Sequence, residues 1–222
     1  MSVYTFSKNS KNMSLDKIMA SVESTPKRVK SYVERSGNAE EMAKFAAQLC
    51  SSDNGPRLVM PVGMGAWRDT WYACFYEYMK GNIEACAADD FFVKNGVFKF
   101  NPKDLHRAHE ICKSKVQNAL MNKKNKAVVV SNTNIKLEHM AMYTPLNESI
   151  LVVRCVPPDM TTAVTMGVNY WKKIPPYVYA NTYQGLQDLA IEEGCLRKLV
   201  GCLTVYLGSE ESEDELVLEE NE

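Results

Sequence analysis

Three short stretches hold residue types suited to phosphate or proton chemistry. The first is Val62-Gly63-Met64-Gly65-Ala66-Trp67-Arg68-Asp69-Thr70. A phosphate-binding loop follows GxxxxGK[ST]: glycines let backbone N–H groups wrap an anion, the lysine neutralises it, and the hydroxyl holds Mg²⁺. Laid on that pattern, Arg68 takes the lysine place and Asp69 the hydroxyl place, with Thr70 next. Gly63, Gly65, Arg68, Asp69 and Thr70 are therefore candidate nucleotide-binding residues, and Asp69 and Thr70 candidate Mg²⁺ ligands. Trp67 falls where the last glycine belongs. The same text also reads as an ordinary strand–loop–helix connection.

The second stretch is Ala88-Asp89-Asp90-Phe91-Phe92. A carboxylate after a strand can take a proton from an attacking hydroxyl, as phosphoryl transfer needs, or cap a turn. Ser131-Asn132-Thr133-Asn134 is the third. Small polar residues there can orient a water, a metal shell or a substrate hydroxyl, or close an Asx turn. Farther along, Tyr170 and Trp171 beside Lys172-Lys173 can stack bases or pack internally. His109, on the apolar side of its helix, reads as a structural histidine, and His106 and His139 form no constellation.

Positioning these groups requires strands that end where they begin. Arg57–Val62 is a short apolar run that leads through the glycines into a helix expected over Arg68–Lys80. Ile83–Ala87 reads as a second strand, Lys126–Val130 as a third and Ile150–Val156 as the clearest. Asn101-Pro102 opens a helix with a cap, a first-turn proline and Asp104 near the positive end. Its stripe is Leu105, Ala108, Cys112, Val116 and Ala119. A short helix runs through Leu137 and Met140, a further helix is expected over Gln184–Val200, and a strand over Cys202–Leu207. Strands alternating with helices predict βαβ units and a parallel sheet, with ligands at the carboxyl ends of the strands. The three polar stretches all fall at such ends. Ser14 to about Cys50 reads as helical, so the expected division is an N-terminal helical extension 1–56, a core 57–208 and an acidic tail 209–222.

The succession of glycine loop, Ala-Asp-Asp-Phe-Phe, F-x-F-N-P-x-x-L-x-x-A-H-x-x-C and V-V-V-S-N-T-N resembles the P-loop kinase family of the polynucleotide kinase type. The resemblance covers roughly Arg57–Val156. It implies an α/β, P-loop NTPase-like parallel sheet flanked by helices, with ATP and Mg²⁺ as cofactors and a 5′-hydroxyl nucleic acid as substrate. It also implies Asp89 as general base, Asp90 beside it, and Asn132 as a substrate-side polar group. The family's lid supplies arginines over the phosphates; this sequence departs from that, since 157–176 offers only Lys172 and Lys173 as the corresponding nucleotide-binding candidates.

Three adjacent departures bear on activity. Arginine lacks lysine's point-charge geometry, aspartate adds negative charge beside a triphosphate, and an indole stands where backbone must approach phosphate. The expectation is a diverged, catalytically impaired kinase-like protein that binds nucleotide or nucleic acid weakly or acts by protein interaction, without a cofactor if inactive. Its alternatives are an active ATP-dependent 5′-hydroxyl kinase using Arg68 and Asp69, and a pure interaction module working through the N-terminal helices or the acidic tail.

Hydrophobic content of 45% and charged content of 24% over 222 residues are ordinary globular values. No run nears the roughly 18 apolar residues of a membrane span. Seven cysteines without a CxxC pair predict free thiols in a reducing compartment, hence an intracellular protein, cytoplasmic or nuclear. The net charge of −1 conceals an asymmetry: residues 209–222 carry eight acids and no base, which leaves +7 on residues 1–208. A basic body can face phosphate or nucleic acid.

Overall fold

The structure is a computed structural model that describes residues 32–144 and 149–208. It is an α/β domain built on a six-stranded, wholly parallel sheet ordered β1-β8-β7-β2-β6-β3. The strands are β1 (Val33–Gly37), β2 (Leu58–Val62), β3 (Ile83–Cys86), β6 (Ala127–Val130), β7 (Ile150–Val156) and β8 (Leu199–Tyr206). Parallel strands need covered faces, and β2, β6 and the first part of β7 accordingly read as continuous buried runs. Helices α1 (Ala39–Ser51), α2 (Gly65–Tyr78), α3 (Leu105–Met121), α4 (Leu137–Ala141), α5 (Met160–Val168) and α6 (Pro176–Gln187) make the connections.

Local chemistry sets the ends of these elements. Asn38 and Glu41 form a reciprocal capping box at α1. Asn101 accepts from the Lys103 N–H, and Pro102 opens a 3₁₀ turn that passes into α3. The buried stripe of α3 is Ala108, Cys112, Val116 and Ala119, as its spacing predicts, whereas Leu105 is exposed.

Four expectations need correction. Residues 33–37, expected as helix, are strand β1, paired in register with β8 from Val33–Gly201 to Gly37–Val205. The domain boundary at 56/57 therefore does not hold: β1 and α1 belong to the same sheet and core as the rest, a body that begins at Tyr32. Helix α2 starts at Gly65, three residues before the expected Arg68. Finally, the helix expected over Gln184–Val200 is displaced toward the N-terminus, because Pro176 serves as a first-turn residue and α6 ends at Gln187. The proposed helices before Tyr32 and the acidic tail 209–222 lie outside the described residues.

Two further features shape the carboxyl edge of the sheet. Pro61 has no N–H to donate, and the β2–β6 pairing is confined to Leu58–Val128 and Val59–Val129. Beyond it the Asn134 side-chain amide bridges the two strands, donating to the carbonyls of Pro61 (2.9 Å) and Val130 (3.0 Å). After β3, a 3₁₀ turn over Ala88–Phe92 leads to the small hairpin β4 (Val93–Lys94) and β5 (Val97–Phe98). Its Asn95-Gly96 turn has both φ values positive, the geometry two-residue hairpins favour.

Candidate functional site

A cleft of about 680 Å³ opens at the carboxyl ends of β2, β6 and β3. Its floor holds Met64, Gly65 and Arg68 from the β2–α2 junction, Ala88 and Asp89 from the turn after β3, and Asn132–Ile135 after β6. Phe98, Phe100 and His109 line one side; the segment Tyr170–Pro175 and α6 close the other. This is the place open α/β sheets reserve for ligands. The structure thus brings Gly65, Arg68, Asp89, Asn132, Lys172 and Lys173 to one cleft. Gly63, Asp69, Thr70 and Asp90 do not line it.

The glycine stretch is not a wrapped loop. Only Gly63 and Met64 separate the end of β2 from the first residue of α2. Gly63 sits at φ +125° and donates its N–H to the Thr133 carbonyl at 2.9 Å, so that amide is already committed. Gly65 is crowded by Tyr170, whose hydroxyl would lie 2.6 Å from a Cβ placed there. The absence of a side chain at Gly65 is what lets the phenol rest against the helix N-terminus. Burial first, and then the Asp69 carboxylate, push the Tyr170 hydroxyl up to about 12.

Trp67, which replaces the expected glycine, is a core residue. Its indole is fully buried, donates to the Ala163 carbonyl at 3.0 Å and lies beside the Tyr179 ring. Arg68 points inward as well. Its guanidinium donates to the carbonyls of Asn132 (2.6 Å) and Ser131 (3.5 Å), while Nε is buried without a hydrogen-bond partner. Loss of hydration lowers its pKa from the ordinary arginine value. Asp69 and Thr70 lie exposed on α2.

Asp89 is met by Lys172: Nζ lies 2.6 Å from Oδ2, with the lysine side chain only 12% exposed. The ammonium also faces the rings of Phe98 (5.4 Å) and Trp171 (5.3 Å), which reinforces its position. Lys173, next to it, holds a left-handed conformation at φ +51°. Asp90 turns to Lys115 at 3.3 Å, a half-exposed pair.

Asn132 is a hub rather than a free polar group. Its Oδ1 accepts the Ala88 N–H at 2.8 Å, and its Nδ2 donates to the Tyr143 hydroxyl at 2.8 Å. That fixes the turn carrying Asp89 to the end of β6. The Tyr143 hydroxyl lies 3.5 Å from Cys112 Sγ, so the network runs back into α3. His109 lines the cleft with Nδ1 buried and unpartnered; burial, then His139, lower its pKa.

Sequence reasoning missed the wall made by α6, to which Tyr179 and Thr182 belong, and the hairpin aromatics Phe98 and Phe100. The Asn-Gly pair at 95–96 is a hairpin signal that could have found the latter. Nothing local marks Tyr179 as a cleft residue.

No described helix is long and apolar enough to cross a membrane. Among the described residues, no group of three or more His, Cys, Asp or Glu is placed to hold a metal ion. No family model matches the chain, and no curated protein matches it.

Proposed function

We propose that this chain is a diverged P-loop kinase-like protein of the polynucleotide kinase type that has lost phosphoryl transfer and retains its strand-end cleft as a binding site. The parallel sheet, with the glycine stretch, Asp89 and Asn132 gathered at one edge, supports the kinship. One observation carries the loss of transfer: the chain's own side chains fill both halves of the site. Tyr170 rests on Gly65 where phosphate would meet the helix N-terminus, and Lys172 neutralises Asp89, the carboxylate a general base would need.

The residues do not fit ATP·Mg²⁺. A triphosphate needs several converging backbone N–H groups and a mobile cation. Here the junction is two residues long, the Gly63 amide is spent on Thr133, and Arg68 is tied to two carbonyls below the surface. Asp69 and Thr70 stand off the cleft. What remains is a largely apolar cleft with a few polar groups, the usual composition of a ligand site.

The reading is tested by titrating the protein with ATP·Mg²⁺, wild type against Arg68→Ala, and by assaying transfer to a 5′-hydroxyl oligonucleotide. No transfer, and no ATP affinity tighter than about 1 mM, is the expected result, on the ground that binding weaker than this supplies under roughly 4 kcal/mol. Low-micromolar ATP binding together with transfer abolished by Asp89→Ala would instead establish the active kinase.

A further inference from the structure

We propose that the outer face of α5 and α6 pairs this chain with a second copy of itself. The proposal stands apart from the reading of the cleft.

Charge is missing from this face. Residues 160–187 hold Lys172 and Lys173 and no other charged side chain, in a chain that is 24% charged. Lys172 is paired with Asp89, and Lys173 lies in the connection between the two helices. Burial does not explain the lack. Charged side chains take three of the five exposed positions on α1, two of six on α2 and three of ten on α3. On α5 and α6 they take none of nine. Solvated helix faces ordinarily carry charge, and its depletion beside exposed aromatic and methionine side chains is the compositional mark of an interface.

The exposed positions also keep helical spacing. They run Thr161, Thr165 and Val168 on α5, and Tyr177, Asn181 and Gln184 on α6. Met160, Val168 and Tyr177 are the large apolar members, 42%, 48% and 66% exposed. The two helices are closely packed, since a Cβ on Gly167 would collide with the Tyr179 ring. The Ala163 carbonyl, which accepts from Trp67, fastens α5 to α2.

The chemistry of the face favours its own image. Threonine hydroxyls and the amides of asparagine and glutamine both donate and accept, so each can pair with its own kind. A two-fold contact lays one patch on the same patch, which like charges resist and this face permits. The ends of the chain are poor complements. Residues 1–31 carry six bases and two acids, net +4, and residues 209–222 carry eight acids and no base. Charged segments of that kind lose hydration on an uncharged surface without finding a counter-charge. Helices of nine and twelve residues are about 14 and 18 Å long and together roughly 20 Å wide. That is the low end of a specific interface, so a reversible, micromolar dimer is expected.

The test is sedimentation velocity of the full chain from about 1 to 200 μM. A reversible rise from the mass of one chain to that of two is expected, retained in about 0.5 M salt because the contact is not ionic. Val168→Glu combined with Asn181→Glu changes two exposed positions that do not line the cleft. Like charges brought together should weaken association at least about ten-fold. Gln117→Glu, on the exposed side of α3, should leave it unchanged. Circular dichroism shows that each variant is folded. With Thr165 replaced by a benzophenone-bearing residue, illumination should cross-link one chain to residues 160–187 of another. A monomer at every concentration, a dimer indifferent to the double substitution, or a dimer lost in salt overturns the proposal. Cross-links confined to one chain, reaching residues 1–31 or 209–222, overturn it as well.

Discussion

His109 is a single residue whose protonation the fold works against. Its Nδ1 is buried without a partner, and the causes that lower its pKa are burial first, then His139, with His106 adding. Asp89 pulls the other way but is already engaged by Lys172. Because the folded value lies below the unfolded one, the unfolded chain binds the proton more readily. The stability His109 contributes is therefore fully present above the ordinary histidine value near 6.5 and drains away as pH falls from there through the folded value. Urea melts at pH 7.5, 6.5 and 5.5 should show the wild type losing stability toward acid. His109→Gln, which cannot be protonated, should show a shallower loss over the same interval. Parallel slopes would mean that His109 is not the group responsible. Arg68 follows a related logic: burial lowers its pKa, and the carbonyls of Asn132 and Ser131 hold its guanidinium as a crosslink between α2 and the end of β6.

At the scale of elements, the decisive part is the edge strand β1. Gly201 lies opposite Val33 in the β1–β8 register, and a Cβ on it would collide with the Val33 carbonyl. Gly201→Ala must then push β1 away or bend β8. Displacing the edge strand breaks its backbone ladder to β8, so a loss of roughly 1–3 kcal/mol is expected. Hydrogen exchange at residues 33–37 should rise well before exchange in β2 or β7 does; unchanged protection there would show that the sheet absorbs the methyl. This strand also marks where the sequence was hard to read. Val-Glu-Arg-Ser-Gly is polar and exposed along most of its length, because an edge strand has little surface to bury, so it carries no apolar signal. The buried strands β2, β6 and β7 were legible for the opposite reason: both faces are covered, and their text is nearly unbroken in aliphatic residues. The site was legible in part. Asp89 and Asn132 are at strand ends because their neighbours are strands. Lys172 reaching Asp89 and Tyr170 reaching Gly65 depend on pairings of residues 83 and 105 positions apart, which no local pattern encodes.

Across the whole molecule, the seven cysteines report how evenly the core is closed. All are free thiols; Cys50, Cys86, Cys112, Cys155 and Cys202 are buried, Cys74 is intermediate and Cys195 exposed. Burial pushes Cys50, Cys86 and Cys155 up to about 12 and Cys202 up to about 11, and it raises Cys112 as well. Reaction with a disulfide reagent needs both access and thiolate. Those five sites span the β1-side helix, strands β3, β7 and β8, and the α3 face, so they sample the body from one edge of the sheet to the other. At pH 8 the native protein should label fast at Cys195 and more slowly at Cys74, with the remaining five reacting only as fast as the protein opens. In the presence of denaturant all seven should react in one phase. If Cys112 labelled with Cys74 in the native protein, α3 would be opening separately from the sheet. The Asn132–Tyr143–Cys112 network that holds Asp89 would then be a local, labile structure. A single slow phase for the five ties that network, and with it the floor of the cleft, to the stability of the entire sheet.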